Sequence, residues 1–222
     1  MRLFDSGRVG VKICGITNEA DAAMCVEAGA GALGFNFYPG SKRFIEPEKS
    51  FQWIRPLEKT VDRVAVVVNA DADLISRIRD SGCFEFIQFH GDELPADCVA
   101  CGAKEWIRAV RVKDSSALDA ALAFCTPYLL LDAWSAAAYG GTGHVADWNL
   151  LSDFVRRNSA REFVLAGGLT PENVTEAIRS VRPAAVDVAG GVESEPRRKD
   201  AYLVKAFIKA AALGSQATGD SP

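Results

Sequence analysis

Eight times along this chain a short apolar or β-branched run is followed by a longer stretch of helical period. That alternation constrains the fold more than any other feature. The strands read as 9–13, 31–37, 63–68, 84–89, 106–111, 127–131, 162–166 and 184–188, and the helices as near 18–28, 47–55, 72–81, 93–100, 114–124, 147–157, 171–180 and 199–211. Local chemistry marks several boundaries. Asp71 and Asp114 stand where a side chain caps a helix start, Thr170 precedes Pro171 at a first helical position, and Gly29 and Gly82 stand where helices stop. Strands apolar on both faces belong to a parallel sheet covered on both sides. Eight such units close into a single-domain (β/α)8, or TIM, barrel over residues 1–213, whereas an open doubly wound sheet would announce itself with a glycine fingerprint after the first strand. Here that loop reads Cys14-Gly15-Ile16-Thr17. The small polar run 214–222 is expected to be a disordered tail with no second domain.

Charge and composition narrow the class. The formal net charge is −4, and the basic clusters Arg156-Arg157 and Arg197-Arg198-Lys199 are too short to make a nucleic-acid-binding face. No window approaches the roughly 20 apolar residues of a membrane span, and the N-terminus lacks the apolar centre of a signal peptide. A soluble cytoplasmic protein without nucleic-acid or membrane partners is expected. The six cysteines (14, 25, 83, 98, 101 and 125) do not form a secreted disulfide framework. Cys98 and Cys101 are spaced as a C-x-x-C, but neither His90 nor His144 supplies the further ligands of a zinc site, so they read as ordinary helix residues and no metal is expected.

In a barrel of this kind chemistry gathers at the carboxyl ends of the strands. Those ends carry Cys14, Arg43, Asn69, His90-Gly91-Asp92, Arg111, Asp132 with the glycine-rich run Tyr139 to Gly143, Gly167-Gly168 and Gly190-Gly191. Polar, titratable or glycine residues thus stand at all of them. Glycine loops after the seventh and eighth strands present backbone amides suited to a phosphate.

Asp132 follows the apolar Leu129-Leu130-Leu131, where desolvation favours a protonated carboxyl and a general-acid role. The period of two puts Lys12 and Cys14 on one face, and a neighbouring lysine lowers a thiol's pKa. Residue types leave two readings of Cys14 open: a general base, or a nucleophile with His90 as its base. Arg43 and Arg111 both have the fork that matches a carboxylate or phosphate, with Arg43 the stronger candidate because its loop is rich in aromatic and proline residues.

These residues resemble a known family. Lys12-Ile13-Cys14-Gly15-Ile16-Thr17 is similar to the opening signature of phosphoribosylanthranilate isomerase, the Amadori-rearrangement enzyme of tryptophan biosynthesis. Four further segments resemble it in order: Gly34 through Pro39 to Arg43; Gln88 to Glu93; Leu131-Asp132 through Gly140-Gly141-Thr142-Gly143; and Ala166 to Leu169. The resemblance runs from about Val11 to Ile208. It implies that Asp132 is the general acid that opens the ribose ring and that Cys14 is the base that removes the C2 proton. It also implies that Arg43 holds the anthranilate carboxylate, that Lys12, His90 and Asp187 contact substrate, and that Gly141, Gly143, Gly167, Gly168, Ala189 and Gly190 surround the phosphate. No metal or organic cofactor is implied. The partner is a small phosphoribosyl substrate, and the chain is compatible with a monomer or a homodimer.

Two departures from the family pattern stand out. Ala189-Gly190 replaces two serines, which removes hydroxyl donors from the phosphate loop. Arg197 stands where glycine is common, a change expected to alter the start of the last helix. The rival readings are the related isomerase of histidine biosynthesis, whose first strand would carry an aspartate in place of Cys14, indole-3-glycerol-phosphate synthase, whose catalytic lysines are missing, a silent barrel that only binds a phosphometabolite, and a thiol-redox protein built on Cys98 and Cys101.

Overall fold

The computed structural model describes residues 2–4, 7–59, 61–132 and 148–216. The eight strands appear where the alternation places them: β1 (Gly10–Cys14), β2 (Ala32–Asn36), β3 (Asp62–Val67), β4 (Phe86–Phe89), β5 (Trp106–Arg111), β6 (Tyr128–Asp132), β7 (Glu162–Ala166) and β8 (Ala185–Val188). They pair in parallel and in sequence order, and β8 closes onto β1, giving a closed barrel. Helices α1 (Glu19–Glu27), α2 (Pro47–Ile54), α3 (Ala72–Asp80), α4 (Pro95–Ala100), α5 (Ser115–Ala121), α6 (Trp148–Arg157), α7 (Val174–Val181) and α8 (Ala201–Gln216) alternate with the strands. Among the described residues, no helix is long and apolar enough to cross a membrane.

Capping follows the side-chain chemistry. Asp71 accepts from the Leu74 amide at 2.8 Å and Asp114 from the Ala117 amide at 3.1 Å. The helix expected from 171 begins instead at Val174. The Thr170 carbonyl accepts from the amides of Asn173 and Val174, and Asn173 Oδ1 accepts from Thr170 N, so residues 170–173 close a turn before the helix starts. The last helix runs past its expected end at 211, to Gln216, so residues 214–216 of the expected tail are helical; residues 217–222 lie outside the described residues. Gly214 sits inside that helix because a Cβ there would stand 3.0 Å from the Ile178 side chain and 3.1 Å from the Thr175 carbonyl, a close crossing of α7 and α8. Ser215 Oγ accepts from the Val9 amide at 3.2 Å, which ties this helix end to the start of β1.

The core has two shells. Between strands and helices lies the larger one, with Phe35, Phe37, Ile78, Phe163, Ile178 and Phe207 among its fully buried members. Inside the barrel Leu3, Ala32, Val64, Val66, Phe86, Ile107, Ala109, Leu130, Val164, Ala166 and Ala185 pack together, alternate residues along each strand, as the period of two requires. The N-terminal segment plugs the amino end of this interior. Leu3 is fully buried, its amide donates to Asp62 Oδ2 at 2.7 Å, and Phe4 stacks on Tyr128 with ring centres 4.6 Å apart. With that end closed by apolar groups, the carboxyl end is left for polar chemistry.

A short hairpin missing from the sequence-based reading follows β8. A 3-10 turn at Gly190–Val192 leads into β9 (Glu193–Glu195), which pairs antiparallel with β10 (Arg198–Lys199). Arg197 therefore lies in a hairpin turn, at φ 80°, and not at the start of the last helix. Three- and two-residue strands carry too little periodicity to be read from sequence.

Candidate active site

The site stands at the carboxyl mouth of the barrel. On β1, Lys12 and Cys14 project to the same side, as their spacing predicts. A Cβ on Gly34 of β2 would lie 2.8 Å from Cys14 Sγ and 3.0 Å from Lys12 Nζ. Glycine at 34 thus makes room for both groups. Lys12 is fully buried and donates to Asp187 Oδ1 of β8 at 2.8 Å, across the β1–β8 seam where the two residues are in register. Burial works against the Lys12 charge, but Asp187 and Cys14 outweigh it and hold the ammonium above its ordinary pKa.

Cys14 is part-exposed at the mouth. Burial pushes its thiol up, Asp187 adds to that, and Lys12 and Lys199 pull it down without cancelling the rise. The lysine contribution expected from sequence is present, but desolvation outweighs it, so the resting group is a thiol whose ionised form has a counter-cation already in place.

Asp132 ends β6, two residues beyond the inward-facing Leu130, in register with Arg111 of β5 and Ala166 of β7. His90 follows β4. Its Nε2 lies 3.6 Å from Asp132 Oδ2, and its Nδ1 is 2.9 Å from the side-chain nitrogen of the fully buried Gln88. His90 therefore turns toward Asp132. Its loop is fixed by a network in which Arg108, a residue the sequence did not single out, joins Glu93. Glu93 accepts from the amides of Asn69 and Gly91 at 2.7 and 2.9 Å and from Arg108 at 2.7 Å, and Arg108 also donates to the Gly91 carbonyl. Arg111 is exposed at its strand end.

Arg43 sits in the loop after β2. Its side chain lies against Gly15 (φ 78°), where a Cβ would come within 2.2 Å of Arg43 Cδ. Its guanidinium is held by Glu193 of β9, with Nε 2.7 Å from Oε1 and Nη2 2.5 Å from Oε2. Lys199 Nζ donates to the same Glu193 at 2.9 Å and to the Ala189 carbonyl at 3.0 Å. Burial opposes the Glu193 charge, yet hydrogen bonds from Arg43 and Lys199 keep its carboxyl below the usual range. Glu193 and Lys199 belong to the hairpin and escaped sequence reading, because a single acid after a glycine turn carries no local pattern. Their partners are brought together only by closure of the barrel.

The glycine loops meet beside Arg43. Gly167 and Gly168 both take positive φ, at 94° and 64°. A Cβ on Gly191 would stand 2.0 Å from the Leu169 carbonyl, so the loops after β7 and β8 are in direct contact, and a Cβ on Gly190 would be 3.3 Å from Arg43 Nη2. Ala189 precedes this turn with its carbonyl bound to Lys199. Gly141 and Gly143 lie outside the described residues. Cys98 and Cys101 are separate buried thiols at the end of α4, and burial pushes Cys98 up to about 12.

A closed barrel with a buried Lys–Asp pair under a cysteine, a carboxylate opposite, an arginine and two touching glycine loops at one mouth suits acid–base work on a small anion. Known proteins with the same plan are plentiful. The family model for N-(5'-phosphoribosyl)anthranilate (PRA) isomerase matches residues 11–210. The N-(5'-phosphoribosyl)anthranilate isomerase of Geotalea daltonii is 45% identical over 210 residues, covering 92% of this chain and 98% of its own length. That of Pelobacter propionicus is 40% identical over 203 residues, with 91% and 95% covered. Among solved structures, phosphoribosyl anthranilate isomerase from Thermotoga maritima superposes with a TM-score of 0.82 at 42% identity, covering 91% of this chain and 98% of its own. The isomerase in complex with reduced 1-(o-carboxyphenylamino)-1-deoxyribulose 5-phosphate gives 0.80 at 40% identity, with the same coverage. By sequence and by fold, the chain belongs to the phosphoribosylanthranilate isomerase family.

Proposed function

We propose that Cys14 and Asp132 isomerise N-(5'-phosphoribosyl)anthranilate to 1-(2-carboxyphenylamino)-1-deoxyribulose 5-phosphate. In this reading the chain is an aldose–ketose isomerase of tryptophan biosynthesis, in keeping with its family. Asp132, as a carboxylic acid, gives its proton to the ribose ring oxygen. The ring C1–O bond breaks and the anilino nitrogen becomes a protonated Schiff base. That cation acidifies the C2 proton; Cys14, having first released its thiol proton to solvent with Lys12 holding the resulting thiolate, takes the C2 proton, and the electron pair from C2–H forms the enolamine. Tautomerisation to the ketone completes the product, and the proton held by Cys14 passes back to Asp132 through solvent.

The observation that carries this reading is the placement of Cys14 directly on the buried Lys12–Asp187 pair, at the mouth where Asp132 also ends its strand. Lys12 supplies the charge that stabilises the thiolate at the moment it is needed, and Asp187 keeps Lys12 protonated. Arg43 receives the anthranilate carboxylate, since a guanidinium fork matches that group. His90 orients Asp132 and the substrate beside it. Gly167, Gly168, Ala189 and Gly190 form the phosphate cradle through backbone amides, which do not depend on the hydroxyls missing at 189 and 190. The enzyme works in the cytoplasm, without cofactor, as a monomer or a homodimer; a Thermotoga maritima relative is described as dimeric.

The test follows loss of anthranilate-type fluorescence from the phosphoribosyl substrate. A positioned acid or base contributes about 10²–10⁴-fold, so Cys14→Ala and Asp132→Ala are each expected to lose at least about 100-fold in kcat. Turnover that survives either change would remove that residue from the chemistry.

A further inference from the structure

The turn between β9 and β10 holds Arg197 at φ 80°, a backbone conformation that suits glycine and strains any other residue. A side chain kept there needs a compensating contact, and Arg197 has two. Its Nη1 donates to the carbonyls of Lys42 and of Phe44, at 3.2 Å each. Those two carbonyls flank Arg43. The Arg197 carbonyl in turn accepts from Thr17 Oγ1 at 2.9 Å, which ties the turn to the loop after β1.

The other end of the same hairpin grips the Arg43 side chain. Glu193 takes Nε and Nη2, and Lys199 anchors Glu193 to the Ala189 carbonyl. One hairpin thus holds Arg43 by its guanidinium and by the backbone on both sides. Glu193 engages Nε and Nη2, so Nη1 of Arg43 is not part of that fork. An arginine loses much rotamer freedom when it binds a carboxylate, and holding it in advance removes that loss.

We propose that Arg197 is a positioning residue that fixes the loop carrying Arg43, making the β9–β10 hairpin a device that selects substrates with a carboxylate on the aryl group. The strained turn is kept because the side chain it carries braces the carboxylate-reading arginine. This inference rests on the reading of Arg43 given above.

Steady-state kinetics on two substrates test it: N-(5'-phosphoribosyl)anthranilate and the N-(5'-phosphoribosyl)aniline that lacks the carboxylate. Arg197→Gly suits the turn's φ, so its Tm is expected to equal or exceed that of the parent protein. Loss of the two contacts is expected to raise KM for the carboxylated substrate about three- to tenfold with kcat unchanged. The same variant is expected to leave kcat/KM for the aniline compound unchanged, and to add nothing in an Arg43→Ala background. Equal losses on both substrates, or an unchanged KM in Arg197→Gly where Arg43→Ala raises it, would overturn the role of Arg197. An unchanged KM in Arg43→Ala itself is a different outcome. It would overturn the carboxylate reading of Arg43, and this inference with it.

Discussion

Replacing Lys12 by methionine tests the electrostatic centre of the site. Lys12 is fully buried and its ammonium faces two groups, Asp187 at 2.8 Å and Cys14. Cys14 Sγ and Lys12 Nζ both lie within 3.0 Å of the point a Gly34 Cβ would occupy, which places them less than about 6 Å apart. Two unit charges about 6 Å apart at an effective dielectric of about 20 attract by about 3 kcal/mol. Lys12→Met removes that attraction from the thiolate, while the burial and the Asp187 charge that push Cys14 up remain. At neutral pH the thiolate population is expected to fall by roughly 100-fold. Alkylation by iodoacetamide is expected to slow by only about 10-fold, because a more basic thiolate is the better nucleophile. The reaction is read at the Cys14 peptide by mass spectrometry, since Cys125 is exposed and reacts in its own right. Breaking the buried pair also leaves Asp187 without its counter-charge, at a cost of about 3–5 kcal/mol of stability. Lys12→Met with Asp187→Asn removes that stranded charge. The double variant is expected to recover much of the Tm and still alkylate more slowly than the parent protein, because Lys12 acts on Cys14 more strongly than Asp187 does. Alkylation of Cys14 in Lys12→Met at the parent rate or faster would refute the reasoning.

Other consequences can be checked more simply. Gly191→Ala places a Cβ against the Leu169 carbonyl and must part the loops after β7 and β8, so competitive inhibition by inorganic phosphate is expected to weaken at least several-fold while the far-ultraviolet circular dichroism is unchanged. Leu3→Ala opens a cavity in the amino-end plug and is expected to cost about 2–5 kcal/mol in urea unfolding with little change in kcat. Glu193 has its folded-state pKa depressed, so its contribution to stability is present above its ordinary value near 4.5 and is lost as pH falls below it. Glu193→Gln is accordingly expected to flatten the acid limb of the stability–pH curve, and an unchanged acid limb would show that Arg43 and Lys199 do not stabilise this carboxylate.

The barrel was legible in the sequence because each of its units is local. A strand apolar on both faces and a helix with one apolar stripe each declare themselves over a few residues, and their eightfold repetition leaves a closed parallel sheet as the compact arrangement. Part of the site was legible for a related reason: strand ends fall on one face of a barrel, so naming the ends places Cys14, Asp132 and His90 at one mouth, whereas Asp187, inside β8, entered only through the family resemblance. What only the tertiary structure decided are relations between residues far apart in the chain. Lys12 meets Asp187 because β8 closes on β1 in one register, and Arg43 meets Glu193 because a hairpin too short to leave a periodic signal folds back over the mouth. The same closure sets the balance at Cys14. Sequence shows a lysine two residues away, but how much water the thiol loses depends on every strand around it, and that loss outweighs the lysine.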